Sequence, residues 1–300
     1  MHLKDIFSRF KIFILFLFGC GILYFLFFML QNNITLKEAQ NVYTNGETNT
    51  NGFKKEDEKF YPFGIENNSK AKYYLYLPPK NKSIHKAVII CPGGGYQYLS
   101  YKNEGLAVAR WLKKNGITGI VLFYRMPNKN YHYIPIEDAQ EMIKLTRKNA
   151  EKWNIDPNQV GIMGFSAGGH LAAAVSNIYT KESRPDFTIL YYPVISMKDN
   201  ITNGPSKYNL LGDKNKKLAD FYSIENKITP NTPPAYIVYS SDDYVVDPKN
   251  SKIYYEKLVK NKVKAKLTVY DTGDHGWGWS KRFKYSKENR DSLLKWVKSL

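Results

Sequence analysis

The chain has 300 residues, 43% of them hydrophobic and 24% charged, which describes a globular protein with a buried core and excludes disordered, collagen-like and coiled-coil chains. Its formal net charge is +17. The basic residues are scattered, without a basic arm, zinc-finger spacing or RNP-like aromatic motif, so we expect a solvated surface and no nucleic-acid partner. With only Cys20 and Cys91 present, Cys-based zinc binding is excluded and no structural disulfide is expected.

The first predicted element is a membrane anchor. Residues 12–30 form an uncharged apolar run that, as a helix, is long enough to cross a hydrocarbon layer of about 30 Å. Three basic residues precede the run and none follows until Lys37, so the positive-inside rule places residues 1–30 as a cytoplasmic tip and signal anchor, with the rest of the chain outside. A cleaved signal peptide and a lipoprotein signal ending at Cys20 are the alternatives, although the run is too long for the former.

After the anchor, the sequence predicts a stalk and one α/β domain. Residues 31–59 are polar and rich in asparagine, which is typical of a flexible stalk, and we expect folding to begin near Phe60. Over 60–300, β-branched and aromatic runs alternate with helical patterns, which predicts a mostly parallel sheet covered by helices on both faces. The irregular stretch 196–234 is expected to be a lid or a substrate-binding insertion. The predicted strands cover 71–77, 86–92, 117–124, 159–165, 187–193, 235–240 and 265–270, and the predicted helices cover 103–115, 136–152, 167–178, 248–262 and 286–299.

A loop rich in glycine follows the strand predicted at 86–92. Cys91-Pro92-Gly93-Gly94-Gly95-Tyr96 resembles the HGGG-type loop of esterases, with Pro92 in the histidine position. An oxyanion hole needs backbone N–H groups that approach a developing negative charge closely. We expect Gly94 and Gly95 to donate from this loop and Ala167 to donate from the turn described next. The alternative is a merely flexible turn.

A candidate nucleophile lies between a predicted strand and a predicted helix. Gly164-Phe165-Ser166-Ala167-Gly168 is a G-x-S-x-G sequence in the context of a nucleophile elbow, where the turn leaves no room for side chains two residues either side of the serine. We therefore expect Ser166 to be the nucleophile. The alternative is a glycine-rich turn that packs closely or binds phosphate.

A serine nucleophile needs a general base, and the order serine, acid, histidine selects it. Among the five histidines, His275 is the one that follows Ser166 in a loop after a predicted strand. His170 lies four residues along the helix that starts at the elbow, and we expect it to pack or to form hydrogen bonds.

Three aspartates compete for the role of the acid in the loop after strand 235–240. Asp243 is favoured, because its D-x-x-V spacing to Val246 is common in hydrolases with a serine nucleophile. Asp242 is the nearest alternative. Asp247 precedes Pro248 and is expected to cap the next helix.

Several segments together resemble the α/β-hydrolase esterases related to acetylxylan and feruloyl esterases. The resemblance covers about residues 60–300, and the anchor is not part of the family pattern. It implies an α/β-hydrolase fold and hydrolysis of carboxylic esters by a serine triad without a metal or organic cofactor, with O-acetyl groups on a carbohydrate as the leading substrate. The segments that carry it are PGGGY (92–96), EGLAVARWLKKNGI (104–117), VLFYR (121–125), VGIMGFSAGGHLA (160–172) and GDHGWGW (273–279).

The main functional hypothesis is a membrane-tethered, extracytoplasmic serine carboxylesterase that removes small acyl groups from a carbohydrate. Aromatic faces suit sugar rings, so Tyr96, Tyr98, Trp277 and Trp279 are expected to flank the pocket, although the tryptophans could equally fill the core. An acyltransferase with the same triad is the first alternative. A lipase and an inactive carbohydrate-binding scaffold are the others.

Overall fold

The largest element of the fold is an eight-stranded sheet. The structure, a computed structural model, describes residues 38–300 except 48, 63, 129, 130, 214 and 215. In chain order, the strands are β1 (Gln40–Asn41), β2 (Lys59–Phe60), β3 (Ile65–Glu66), β4 (Lys72–Tyr76), β5 (Ala87–Cys91), β6 (Tyr98–Leu99), β7 (Thr118–Phe123), β8 (Val160–Phe165), β9 (Phe187–Tyr191), β10 (Ala235–Ser240) and β11 (Ala265–Tyr270).

The large sheet is mostly parallel, as predicted. Its order is β1-β4-β7-β5-β8-β9-β10-β11, and the six strands from β7 to β11 in that order run parallel. Strand β4 pairs antiparallel with β7, and β1 pairs antiparallel with β4. Strands β5, β7, β8, β9 and β10 consist entirely of buried residues, because helices cover both faces of a parallel sheet. A second, antiparallel sheet contains β2, β3 and β6.

Helices follow most of the parallel strands. They are α1 (Ala107–Lys114), α2 (Ile134–Lys148), α3 (Ala150–Trp153), α4 (Ser166–Val175), α5 (Gly204–Leu211), α6 (Lys216–Phe221), α7 (Lys249–Lys260) and α8 (Ser286–Lys298). A π-helical turn, Lys102–Leu106, leads into α1, and short 3₁₀ turns occupy Lys55–Asp57, Lys80–Lys82 and Ile224–Asn226. The helix predicted at 136–152 is divided into α2 and α3 at Asn149.

Helix α4 is buried on every side. It is built mostly from alanine and glycine, and such small residues allow its backbone to lie close to the neighbouring strands. A Cβ added at Gly169 would lie 2.7 Å from the Cβ of Pro193, which follows β9. Small residues along α4 therefore fix the depth at which the start of this helix, and Ser166 with it, sits above the sheet.

The folded domain begins at Gln40, so the predicted start of folding near Phe60 is wrong. The domain contains residues from Gln40 onward, and β1 adds an edge strand to the large sheet. Asn51 is only 1% exposed, and its side-chain amide donates hydrogen bonds to the backbone carbonyls of Asn68 and Met126, both at 3.0 Å. Polar residues here satisfy buried backbone groups, a role that composition does not distinguish from a solvated stalk.

The predicted anchor, residues 12–30, lies outside the described residues, as does Cys20. Within residues 38–300 as described, no helix is both long and apolar enough to span a bilayer. Cys91 carries a free thiol at the end of β5, and burial raises its pKa, so the thiol is protonated and inert at neutral pH.

Candidate active site

Ser166 stands at the sharp turn between β8 and α4. Its backbone φ is 51°, a left-handed conformation that costs energy for a residue with a side chain. A Cβ at Gly164 would lie 2.0 Å from the carbonyl oxygen of Gly168, and a Cβ at Gly168 would lie 2.2 Å from that of Cys91. Neither position therefore accepts a larger residue. This is the strained strand-turn-helix geometry that presents a nucleophile.

His275 connects Ser166 to Asp243. Its Nε2 lies 2.9 Å from Oγ of Ser166, and its Nδ1 lies 2.7 Å from Oδ2 of Asp243. Oδ1 of Asp243 accepts hydrogen bonds from the backbone N–H groups of Val245 and Val246 at 3.0 and 2.9 Å. The carboxylate accepts on both oxygens, so the histidine proton lies on Nδ1 and Nε2 is free to accept a proton from Ser166.

The other two aspartates of this loop have different partners. Asp242 is exposed and accepts hydrogen bonds from residues 272–274, including the backbone N–H of Asp274 at 2.8 Å. Partial loss of hydration raises the pKa of Asp242, but these hydrogen bonds lower it by more, so the pKa lies below its ordinary value. Asp247 accepts a hydrogen bond from the backbone N–H of Lys249 at 2.8 Å, at the start of α7. Only Asp243 among the three contacts His275, while Asp242 supports the same loop from outside.

The loop after β5 has free N–H groups beside Ser166. The N–H of Gly93 donates a hydrogen bond to Oε2 of Glu104 at 2.9 Å. The carbonyl of Gly93 accepts one from the N–H of Ser100 at 2.9 Å. Gly94 and Gly95 have φ values of 125° and 65°, which favour glycine. In the described part of the chain, the N–H groups of Gly94, Gly95 and Ala167 donate to no other protein group. The three expected oxyanion donors are thus unpaired.

A cavity of about 330 Å³ opens onto Ser166 and His275. The start of helix α5 forms one wall of the cavity. Because α5 lies within residues 196–234, this stretch contributes residues to the site. Asn209 Nδ2 donates to the carbonyl of Gly95 at 2.8 Å, so this helix is tied to the glycine loop. Most residues of the wall are uncharged. The lining consists of Gly94, Gly95, Gln97, Tyr98, Ser100, Glu104, Ser166, Asn203, Pro205, Ser206, Asn209, Val245, His275 and Gly276.

Only one of the four aromatic residues expected at the pocket lies there. Tyr98 is 40% exposed and lines the cavity. Tyr96, Trp277 and Trp279 are 2%, 7% and 6% exposed and lie in the core, so the prediction is wrong for these three. Trp277 stacks on Phe283 with 4.0 Å between ring centroids. The tryptophans anchor the His275 loop by burying their rings, which offsets the cost of holding that loop in one conformation.

His170 has the hydrogen-bonding role expected from its place in α4. It is fully buried, its Nε2 donates to the carbonyl of Tyr222 at 2.8 Å, and its Nδ1 accepts from the hydroxyl of Tyr96 at 2.8 Å. Burial lowers the pKa of His170 to about 4. The neutral imidazole therefore links α4 to the residues that follow α6.

Sequence reasoning missed Glu104, which lies in the π-helical turn and also lines the cavity. Its side chain is buried, and burial raises its pKa. In the sequence, an acidic residue near the start of a helix is explained by the helix dipole, so nothing local singled it out. Across the described residues, no group of three or more His, Cys, Asp or Glu side chains has a metal-binding arrangement.

Fold and site together define the class of protein. A nucleophile elbow after β8, an acid after β10 and a histidine after β11 form the arrangement of α/β hydrolases with a serine nucleophile. Residues 74–258 match the BD-FAE family, and the chain belongs to that family.

Similar proteins extend this assignment. The chain is 38% identical to an acetylxylan esterase of Xylanibacter ruminicola, over 81% of this chain and 51% of that protein. It is 30% identical to endo-1,4-beta-xylanase B of Butyrivibrio fibrisolvens, over 68% of this chain and 35% of that protein. This chain therefore spans about half the length of the first relative and about a third of the second.

A solved structure, the acetyl ester-xyloside bifunctional hydrolase from Caldicellulosiruptor lactoaceticus, matches with a TM-score of 0.73 and 32% identity. The match covers 87% of this chain and 95% of that one. Fold, site and family together give this chain the nucleophile, base and acid of a serine hydrolase.

Proposed function

We propose that this chain removes acetyl or other small acyl groups from a carbohydrate. The observation that carries the proposal is the hydrogen-bonded series of Ser166, His275 and Asp243 beside unpaired backbone N–H groups. The names of the similar proteins, an acetylxylan esterase and an acetyl ester-xyloside hydrolase, support acetyl groups on a sugar.

The proposed reaction has two halves. Oγ of Ser166 attacks the ester carbonyl carbon while its proton passes to Nε2 of His275. The tetrahedral intermediate collapses, the sugar hydroxyl leaves with that proton, and the acyl group stays on Ser166 as an ester. Water then gives a proton to His275 and attacks the acyl-enzyme, which releases the carboxylic acid and restores the serine.

Two features of the site lower the barrier of both halves. The N–H groups of Gly94, Gly95 and Ala167 donate to the oxyanion, and one such donor is typically worth about 10²–10³ in rate. Asp243 holds the proton of His275 on Nδ1 and stabilises the imidazolium that forms. Its side chain is only 1% exposed, so little solvent screens this charge.

The cavity supports a small acyl group on a polar substrate. Its volume of about 330 Å³ is near the lower limit for small-molecule sites, which begin at about 300 Å³. Amide and hydroxyl side chains such as Gln97, Ser206 and Asn209 can exchange hydrogen bonds with sugar hydroxyls. Tyr98 offers an exposed ring face at the same wall.

Initial rates with nitrophenyl acetate, butyrate and octanoate test this proposal, together with acetate release from acetylated xylo-oligosaccharides. The purified full chain should show rates that fall with acyl length and should release acetate. Ser166→Ala supplies the background rate. Rates that rise toward octanoate, without acetate release from the sugar, would indicate a lipase-like enzyme instead.

We further propose that residues 12–30 anchor the chain and hold the catalytic domain outside the cytoplasm. The apolar run and the basic residues before it support this topology. Only residues 31–39 separate the run from β1, and nine residues cannot span more than about 32 Å at the chain's maximum extension. The proposed substrate would then be a glycan at the surface of the membrane, and the net charge of +15 on residues 31–300 (41 basic minus 26 acidic) would favour an acidic one.

A further inference from the structure

The π-helical turn before α1 places a buried carboxylate between two parts of the site. Glu104 is 4% exposed. Its Oε2 accepts a hydrogen bond from the backbone N–H of Gly93 at 2.9 Å, and its Oε1 accepts one from the hydroxyl of Tyr192 at 2.8 Å. Both partners are donors, so a carboxylate satisfies them and the hydrogen bonds offset the cost of burying its charge.

The hydroxyl of Tyr192 continues this chain of contacts to the loop of His275. Its oxygen accepts a hydrogen bond from the backbone N–H of Gly278 at 2.8 Å, and its ring centroid lies 4.7 Å from that of His275. Glu104 therefore reaches, through one tyrosine, the segment that follows the histidine.

Asn103, the neighbour of Glu104, contacts the same segment directly. Its Oδ1 accepts from the backbone N–H of Trp279 at 3.1 Å, and its Nδ2 donates to the carbonyl of Trp277 at 3.3 Å. A Cβ at Gly278 would lie 2.4 Å from Nδ2 of Asn103. The π-helical turn and the loop after His275 are thus in close contact, and π-helical turns often mark functional sites.

The other contact of Glu104 bears on the oxyanion donors. The N–H of Gly93 is fixed by Glu104, and its carbonyl is fixed by the N–H of Ser100. In a planar trans peptide the next N–H points opposite to that carbonyl, so the hydrogen bond from Ser100 sets the direction of the Gly94 N–H, and the hydrogen bond to Glu104 fixes the peptide immediately before it. Glu104 therefore holds the peptide on the N-terminal side of Gly93, next to the oxyanion donor Gly94.

We propose that Glu104 is a positioning residue that couples the orientation of the oxyanion loop, residues 92–96, to the placement of the His275 loop, residues 274–279. This inference rests on the proposed function. Glu104 reaches both loops through Gly93 and Tyr192 rather than through the reacting atoms. Loss of either contact should weaken stabilisation of the transition state more than binding of the ground state.

Three variants test the coupling, together with one matched control. Tyr192→Phe removes the hydroxyl that joins Glu104 to Gly278 and keeps the ring beside His275. Glu104→Gln keeps an oxygen for Gly93 but presents an NH₂ group to the tyrosine. Glu104→Ala removes both contacts. The control is Tyr191→Phe, since the buried hydroxyl of Tyr191 donates to Asn289 instead.

With nitrophenyl acetate, we expect kcat to fall about tenfold for Tyr192→Phe and Glu104→Gln and about 100-fold for Glu104→Ala, with KM within about threefold of wild type. The affinity for a trifluoromethyl ketone, whose adduct with serine carries an oxyanion, should fall by the same factor as kcat/KM. Tyr191→Phe should keep kcat within about twofold of wild type.

Two results would overturn the inference. One is a kcat for both Tyr192→Phe and Glu104→Gln that matches the Tyr191→Phe control. The other is a loss of activity that follows a lower melting temperature or a higher KM while the ketone affinity is unchanged. Both variants keep most of the side chain, so the result does not depend on the folding of Glu104→Ala. Failure of the proposed function gives a different result: the wild type would show no turnover of the ester, or the Ser166→Ala variant would retain turnover.

Discussion

Replacing Asp243 with asparagine should remove most activity through the tautomer of His275, because the two carboxylate oxygens have different partners. Oδ1 accepts from the backbone N–H groups of Val245 and Val246 at 3.0 and 2.9 Å. An asparagine must place its carbonyl oxygen there, since an amide NH₂ cannot accept. Its NH₂ group then faces Nδ1 of His275, which becomes the acceptor. The ring proton moves to Nε2, which can no longer accept the proton of Ser166.

The same tautomer error costs a serine-protease triad about 10⁴ in kcat, or about 5 kcal/mol of activation free energy. We expect a loss of that size for Asp243→Asn with nitrophenyl acetate, at an unchanged melting temperature. Asp242→Asn is the matched control, because its hydrogen bonds go to residues 272–274, and it should cost less than about tenfold. The reasoning is refuted if Asp243→Asn keeps more than about a tenth of wild-type kcat, or if Asp242→Asn is the more damaging change.

Three further predictions follow from the same structure. Ser166→Ala and His275→Ala should each lower kcat by about 10⁶ without unfolding the protein, and a variant that keeps more than about a tenth of kcat would show that its residue is not in the triad. His170 has a folded pKa of about 4, below its unfolded value of about 6.5, so the unfolded state binds the extra proton and stability should fall by up to about 3 kcal/mol as pH drops from about 6.5 to 4. Urea unfolding at several pH values measures the free energy of unfolding. If a His170→Gln variant loses as much stability between these pH values as the wild type, His170 is not the cause of the loss. Protease added to intact cells should release an active fragment that begins near Gln40, whereas protection that persists until the inner membrane is broken would contradict the proposed topology.

The parts of the site that sequence predicts well are those with a local signature. The G-x-S-x-G turn around Ser166 needs glycine two residues either side of the serine, because a tight strand-turn-helix leaves no room there for side chains. The order of the triad along the chain then selects the histidine. The Asp243 prediction depends on spacing, and the structure shows its physical basis: Val246, three residues on, supplies one of the two N–H donors to the carboxylate.

The parts that sequence misses depend on contacts between distant segments. Trp277 lies two residues from His275, yet its ring packs inward, because an aromatic side chain suits a core as well as a sugar face. Asn51 belongs to a polar stretch that resembles a linker, but its partners lie on segments that fold against it. Glu104 meets Tyr192 across 88 residues of sequence, and no local pattern indicates such a pair.

Acid-quench mass spectrometry of the full chain during turnover tests the central claim most directly. The chain is mixed rapidly with nitrophenyl acetate, quenched within the first turnovers, digested and sequenced. The account predicts one acetyl group on the peptide that contains Ser166, formed as fast as nitrophenol is released in the first turnover and absent in Ser166→Ala. Turnover that continues without an acetylated Ser166, or with the acetyl group on another residue, would contradict it.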